Sequence, residues 1–320
     1  MPHLVRTWRN RQSRSSMVSI RDIIRLIRPA HWIKNVVVLL PVVFGQQMAS
    51  PEAWGRALWA AVAFCLASSA TYVLNDIADR QGDRQHPTKR DRPLAAGRVP
   101  VHWAAVLGVV LGPLALLFTV PLHRGVTIVL AAYLGLQILY TVACKHRVLL
   151  DVICIALGFV LRAVGGAVAI RVAISPWLFI CMFTLCLFMG FCKRYSEIVS
   201  FEDAASAGRH RATLLHYTPE LLTHLVTVSA GIAVVAFLVY SLNERTIEHF
   251  GTPYFVYTLP LMVYGVFRFA MLSMNGRYND PTDLILHDLP FQITVALWLG
   301  AAVLIVGWGE SLHDYLQGQL

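Results

Sequence analysis

Nine apolar segments limit what this chain can fold into more than any other feature of its sequence. A helix needs about 20 apolar residues to cross a bilayer, and helices satisfy their own backbone hydrogen bonds in lipid. The 320-residue chain is 57% hydrophobic and 14% charged, whereas soluble domains are about 45–50% apolar and about 25% charged. We therefore predict an all-α polytopic membrane protein with nine transmembrane helices, at residues 32–48, 54–77, 99–120, 125–144, 148–170, 176–196, 220–242, 253–273 and 290–309.

The region before the first apolar segment is rich in arginine. Residues 1–18 are predicted to form a loose basic cytoplasmic tail, and residues 19–320 a single transmembrane domain. No cleavable signal peptide is predicted, because no apolar run and cleavage site follow the first charges. An amphipathic helix at the interface is expected from isoleucines at helical spacing, which are Ile20, Ile23, Ile24 and Ile27.

Basic residues predict the orientation of the chain. They concentrate in alternate connections, at 80–98, 145–147, 193–211 and Arg277, and such connections are typically cytoplasmic. The amino terminus is therefore predicted inside and the carboxyl terminus outside. The net charge of +9 reflects these loops beside membrane lipid, so no nucleic-acid partner is expected. The six cysteines lie in or beside apolar segments without a C-x-x-C pair, which predicts neither a disulfide framework nor a zinc site.

A charged stretch follows the second apolar segment. Asp76, Asp79 and Asp83 are spaced i, i+3 and i+7, which places them on one stripe of a helix, at an end expected to be wet. Aspartates bind Mg²⁺, and neighbouring cations neutralise phosphate oxygens that the metal does not reach. Topology alone does not require three aspartates on one face, so we interpret them as catalytic metal ligands for a diphosphate. The substrate-binding residues predicted beside them are Asn75, Lys89, Arg90 and Arg92.

Two basic clusters near other apolar segments each have two interpretations. Lys145 and Arg147 follow the fourth segment, with Tyr140 a little over one turn earlier. They either bind phosphate or only set the orientation of the chain in the membrane. Lys34 and Asn35 lie beneath the interface, where they either hold a lipid phosphate or Lys34 simply extends its charge into water.

Two further polar positions lie in the second half of the chain. Asp151 and Arg162 are separated by about three helical turns, so both point to one side of the fifth helix. A charge as deep as Arg162 needs a polar partner or cavity, and it either contacts substrate or forms a structural ion pair. The loop after the sixth segment begins with a mixed-charge cluster of Lys193, Arg194, Tyr195 and Glu197. These residues either bind substrate, or Lys193 and Glu197 form a salt bridge at i, i+4 on a helix.

Several motifs together resemble the UbiA-type intramembrane prenyltransferase superfamily. N-D-x-x-D-x-x-x-D at 75–83 is followed by H-P-x-K at 86–89 and R-P-L-A-x-G at 92–97. The other motifs are R-P-x-x-W-x-K-N at 28–35, L-R-A-V-G-G at 161–166 and K-R-Y-S-E at 193–197. Within the superfamily, the chain is most similar to the decaprenyl-phosphate phosphoribosyltransferases.

This resemblance implies a nine-helix bundle around a cytoplasm-facing polar cavity, in the inner or plasma membrane, with Mg²⁺ as cofactor. The implied reaction transfers a 5-phosphoribosyl group from 5-phosphoribosyl 1-diphosphate (PRPP) to a polyprenyl (decaprenyl) phosphate, as in cell-wall arabinan precursor synthesis. The chain lacks the second aspartate-rich motif of ordinary prenyltransferases, which counts against a prenyl diphosphate donor. The alternatives are an aromatic-acceptor prenyltransferase of quinone biosynthesis and an anionic-lipid transporter, although the internal repeats of transporters are absent. A homo-oligomer is compatible with the sequence.

Overall fold

A computed structural model describes residues 18–85, 89–199, 216–276 and 281–317, and these residues form helices and connections without any strand. Nine segments among them are long and apolar enough to cross a membrane, which confirms the predicted number. The α-helices are α1 (Ile20–Ile27), α2 (Leu40–Phe44), α3 (Pro51–Gln85), α4 (Val101–Phe118), α5 (Arg124–Val142), α6 (Leu150–Ile170), α7 (Pro176–Val199), α8 (Pro219–Leu242), α9 (Glu244–Phe250), α10 (Leu259–Met274), α11 (Pro281–His287) and α12 (Leu289–Gln317).

The first span is an interrupted helix. α1 ends where Arg28 adopts a left-handed conformation (φ 52°, ψ 60°) directly before Pro29, and a 3₁₀ helix, Pro29–Leu39, continues to α2. A residue before proline is disfavoured in the right-handed helical region, which explains the break at this position. Helix α1 was predicted from its isoleucine spacing, and Ile20 and Ile24 are exposed while Leu26 is buried. The predicted tail lies almost wholly outside the described residues.

The second span is longer than predicted. Its helix α3 contains 35 residues and ends at Gln85, whereas the apolar pattern ends at residue 77. The helix continues because no proline interrupts the chain between Pro51 and Pro87, and charged residues are good helix formers outside the apolar core. The aspartate stripe therefore projects from the membrane span on continuous helix.

Two adjacent glycines bring α6 against the first two spans. A Cβ on Gly166 would lie 2.0 Å from the carbonyl oxygen of Val38, and a Cβ on Gly165 would lie 2.4 Å from the ring of Phe64. Any larger side chain would overlap with these neighbours, so close packing depends on glycine here. The third to eighth spans begin and end within a few residues of their predicted limits, whereas the helix of the ninth span, α12, continues to Gln317, beyond the predicted end at residue 309. The short helices α9 and α11 were not predicted, because seven residues are too few to give a spanning apolar pattern.

Candidate functional site

The three aspartates lie on the last turns of α3, and each contacts a basic side chain from another part of the chain. The side chains of Asp76 and Asp83 are 2% and 8% exposed, whereas that of Asp79 is 34% exposed. The expected wet environment is therefore wrong for the first and third carboxylates. It is wrong because neighbouring segments cover the helix end.

Asp76 forms ion pairs with two arginines. Its Oδ1 accepts hydrogen bonds from Arg28 and from Nη1 of Arg92, the latter at 3.2 Å. The same Nη1 atom donates to Oδ2 of Asp83 at 2.7 Å. Arg92 therefore joins two carboxylates across almost two turns of α3. Arg28 was not among the predicted site residues, although it opens the R-P-x-x-W-x-K-N motif, and the break after α1 is what directs it to the stripe.

Asp79 has different partners. Lys145 places its ammonium group 2.5 Å from Oδ1, and Asn75 donates from Nδ2 to Oδ2 at 2.9 Å. Lys145 is only 8% exposed and belongs to a 3₁₀ turn, Cys144–His146, between α5 and α6. Its burial against a carboxylate is more than the positive-inside preference requires. Arg147, two residues later, is exposed.

The loop after α3 folds back along the helix. Arg80 donates to the carbonyl oxygen of Leu94 at 3.3 Å, and Arg84 donates to that of Ala95 at 3.1 Å. Gly97 adopts φ +73°, a left-handed conformation that favours glycine. These bonds hold Arg92 over the stripe. Of the other predicted cations, Lys89 is half-buried and Arg90 is exposed in the short 3₁₀ turn Lys89–Asp91.

The oxygen donors of this stripe fit a hard divalent cation. Among the described residues, no group of three or more His, Cys, Asp or Glu side chains is arranged to hold a metal. Two of the carboxylates nevertheless converge on one positive centre, the Nη1 atom of Arg92. Oδ1 of Asn75 is buried without a hydrogen-bond partner in the described part of the chain. Carboxylate and amide oxygens are suitable ligands for such a cation, so the chemistry of the donor set fits Mg²⁺.

Arg162 lies at the centre of a second, deeper polar cluster. It donates to Oδ1 of Asn35 at 2.7 Å and to the hydroxyl of Tyr133 at 2.8 Å, and its guanidinium lies 4.8 Å from the centre of the Tyr133 ring. Asn35 in turn donates to Ser68 on α3. The alternative of a structural ion pair for Arg162 finds no carboxylate among these contacts, and Asp151 on the same helix pairs with Arg194 instead. Lys34, next to Asn35, is half-buried.

The mixed-charge cluster after the sixth segment begins on α7, where Arg194 is fully buried. Its Nε donates to Oδ2 of Asp151 at 3.0 Å, and its Nη1 donates to Glu197. Oδ1 of Asp151 accepts from the hydroxyl of Tyr217 at 3.0 Å. Arg194 and Asp151 thus join α6 to α7 inside the protein, where both are buried. Sequence inspection missed Tyr217, because no motif surrounds it.

The remaining predicted residues lie around this cluster. Glu197, Lys193 and Tyr140 are half-buried, and Tyr195 packs against the hydrophobic core between α7 and α10. The part of the predicted loop from residue 200 to residue 211 lies outside the described residues. Unlike buried Arg194, Glu197 and Lys193 are thus partly exposed charges of the motif.

A separate cavity of about 730 Å³ lies among apolar side chains of α2, α6, α7, α8, α10 and α12. Polar residues such as Asn243 and Arg245 occur at the end that is formed by the α8–α9 connection. None of the predicted site residues lines it. The polar cavity expected beside the aspartates stays a prediction.

Comparison with known proteins assigns the chain to a family. The model of the UbiA prenyltransferase family matches residues 38–287. The chain belongs to this family. A decaprenyl-phosphate phosphoribosyltransferase from Mycolicibacterium smegmatis is 31% identical over 291 residues, 88% of this chain and 91% of that protein. A 4-hydroxybenzoate octaprenyltransferase from Cupriavidus necator is 35% identical over 102 residues, 31% of this chain and 35% of that protein.

The UbiA fold is also evident in three dimensions. A structure of a UbiA homolog from Archaeoglobus fulgidus, bound to DMAPP and Mg²⁺, superimposes with a TM-score of 0.69 at 18% identity. The superposition covers 89% of this chain and 99% of that chain. The predicted multi-pass membrane architecture is therefore the architecture of this UbiA-family protein.

Proposed function

We propose that this UbiA-family protein is a Mg²⁺-dependent polyprenyl-phosphate phosphoribosyltransferase. It transfers the 5-phosphoribosyl group of PRPP to a polyprenyl phosphate such as decaprenyl phosphate and releases diphosphate. Similarity to a decaprenyl-phosphate phosphoribosyltransferase over 88% of the chain supports the substrates. The observation that carries the reaction type is the row of three carboxylates on α3, each held by a basic residue.

The aspartates would hold the metal. Asp76, Asp79 and Asp83, with the unpartnered Oδ1 of Asn75, offer the oxygen ligands that Mg²⁺ requires. When bound, the ion would neutralise charge on the leaving diphosphate and act as a Lewis acid. The UbiA homolog from Archaeoglobus fulgidus that binds Mg²⁺ supports a divalent ion in this fold.

The basic residues of the stripe would bind phosphate oxygens. Arg28, Arg92 and Lys145 each already contact a carboxylate, so three positive charges lie where a diphosphate would meet the aspartates. Arginine binds phosphate through two parallel hydrogen bonds and lysine as a point charge. Lys89 and Arg90 lie next to Arg92 in the chain and would add to the positive potential.

No general base is needed for the nucleophile. One oxygen of the lipid phosphate, already an anion at neutral pH, forms a bond to the anomeric carbon of ribose. The bond between that carbon and the diphosphate oxygen breaks, and its electron pair leaves with diphosphate. A single displacement of this kind inverts the anomeric centre. The protein would contribute in two ways, by orienting the two substrates and by stabilising the charge that develops on the leaving diphosphate.

The rest of the donor and the lipid would occupy two further regions. Glu197 and Lys193 would bind the hydroxyls and the 5-phosphate of PRPP, while buried Arg194 holds Glu197 in place. Lys34 would lie near the lipid phosphate. The apolar cavity of about 730 Å³ has the character needed for part of the prenyl chain. The orientation we propose places the aspartates and the amino terminus at the cytoplasmic face, where PRPP is available.

A transfer assay tests this function. Purified protein is incubated with ribose-labelled PRPP, decaprenyl phosphate and Mg²⁺, and we expect label in the extracted lipid. EDTA should abolish the signal, and free polyprenol should not replace the phosphate, because its neutral hydroxyl would need a general base to remove its proton. Prenylation of 4-hydroxybenzoate from a polyprenyl diphosphate, with no labelled lipid from PRPP, would refute the proposal.

A further inference from the structure

The backbone is strained where α6 begins. Leu149 has φ +67° and ψ −46°, and the amide of Leu150 donates to the carbonyl oxygen of Val148 at 2.8 Å. This combination is a classic γ-turn, which is rare and strained even in loops. Leucine carries a Cβ that is disfavoured at positive φ. Such a conformation persists only where surrounding contacts impose it.

The hydroxyl of Tyr217 supplies such a contact. It accepts a hydrogen bond from the amide of Leu149 at 2.7 Å and donates to Oδ1 of Asp151 at 3.0 Å. The other oxygen of Asp151 is held by Arg194. Burial beside this carboxylate raises the pKa of the Tyr217 phenol above its ordinary value, so the hydroxyl keeps its proton and can donate. One hydroxyl therefore ties the γ-turn to a fixed carboxylate.

A lysine that contacts the aspartate stripe lies in the 3₁₀ turn just before this γ-turn. Lys145 lies four residues before Leu149 and contacts Asp79. Short backbone bonds connect the two positions: the amide of Arg147 donates to Cys144, and the amide of Asp151 donates to Arg147. With so few residues between them, a change of φ at Leu149 would move the 3₁₀ turn and with it the ammonium group of Lys145.

We propose that Tyr217 is a positioning residue for the transfer reaction, because it locks the strained turn at Leu149 and so holds Lys145 on Asp79. This inference rests on the proposed function for its effect on catalysis. The two hydrogen bonds of the Tyr217 hydroxyl that hold the turn, which we call the lock, do not depend on that function. Without the hydroxyl, Leu149 would relax to negative φ, and Lys145 would lose its fixed position beside the diphosphate.

The variant Tyr217→Phe tests the lock while preserving the ring that packs in the core. We expect kcat/KM to fall roughly 10- to 100-fold, as for the loss of one or two buried hydrogen bonds. The KM for PRPP should rise more than the KM for the lipid. The matched control is Tyr254→Phe, which removes a hydroxyl hydrogen-bonded to His313 away from the site and should leave activity unchanged.

Two more variants separate positioning from a general structural role. In the Lys145→Met background, Tyr217→Phe should cause no further loss, because the group that it positions is already gone. Leu149→Gly should restore part of the activity of Tyr217→Phe, because glycine adopts positive φ without strain. Independent, additive losses would overturn the connection from Tyr217 to Lys145.

Hydrogen exchange tests the lock without any enzymatic activity. The amides of residues 147–153 should be protected in the unmodified protein and should exchange faster in Tyr217→Phe, while those of α4 stay unchanged. Equal exchange in both proteins, or rapid exchange in the unmodified protein, would overturn the lock. If the unmodified protein transfers no phosphoribose but shows this exchange pattern, the proposed function fails and the lock stands.

Discussion

Asp76 and Asp79 are three residues apart on one helix, yet the same change of carboxylate to amide should affect them differently. Both Asp76→Asn and Asp79→Asn should abolish phosphoribosyl transfer, because each removes a charge from the proposed metal site. Only Asp76→Asn should also destabilise the protein. The difference follows from burial and from the partners of each carboxylate.

The loss at Asp76 can be worked from its two ion pairs. Its Oδ1 accepts from Arg28 and Arg92, and its side chain is 2% exposed. Removing one partner of a buried ion pair costs about 3–5 kcal/mol. An amide oxygen at position 76 can still accept from both guanidinium groups, but it no longer compensates their positive charge. Because Arg28 and Arg92 are 17% and 27% exposed and Arg92 keeps its contact with Asp83, the free energy of unfolding should fall by less than that limit, by about 2–3 kcal/mol.

Asp79 tolerates the change because its neighbour can adapt. Its side chain is 34% exposed, so its pair with Lys145 is partly screened. Its Oδ2 accepts from Asn75, whose own Oδ1 has no partner among the described residues. Rotation of the Asn75 amide by half a turn would let that oxygen accept from the new amide at position 79. We expect a stability change of at most about 1 kcal/mol.

The assay is thermal unfolding in detergent, measured beside the transfer reaction. The control Glu52→Gln removes an exposed carboxylate at the opposite end of the same helix and should change neither stability nor activity. Equal melting temperatures for Asp76→Asn and Asp79→Asn would refute the reasoning from burial. Full transfer activity in either variant would remove that aspartate from the metal site.

Two other predictions follow from single positions. Gly166→Ala should prevent stable folding, because the added Cβ would lie 2.0 Å from the carbonyl oxygen of Val38. The control Gly112→Ala should fold normally, because no atom lies within 4 Å of its added Cβ. The yield of detergent-solubilised protein and its melting temperature distinguish the two variants. Glu197→Gln should raise the KM for PRPP more than that for the lipid, because its carboxylate is proposed to bind ribose hydroxyls. Steady-state kinetics check this, and an unchanged KM for PRPP would leave Glu197 only a structural pairing with Arg194.

The sequence determined the features that depend on local periodicity. Apolar segments of bilayer length predict nine spans whatever they pack against, because each span satisfies its own backbone hydrogen bonds. The aspartate stripe is equally local, since a spacing of three and four residues places side chains on one helix face. The adjacent glycines at 165 and 166 favour either close packing or a local break in the helix, and the structure shows close packing against Val38 and Phe64.

Only the tertiary structure decided which charges meet. Arg28 reaches Asp76 across 48 residues of sequence, and Lys145 reaches Asp79 across 66. Nothing in the spacing of residues encodes such pairings, because they depend on a helix break after α1 and on how the spans pack. The same holds for Asp151 and Arg162, whose spacing predicts one side of the helix but not their partners, which are Arg194 and Asn35, respectively. A helix pattern fixes the face of each side chain, and the packing of the bundle fixes what that face contacts.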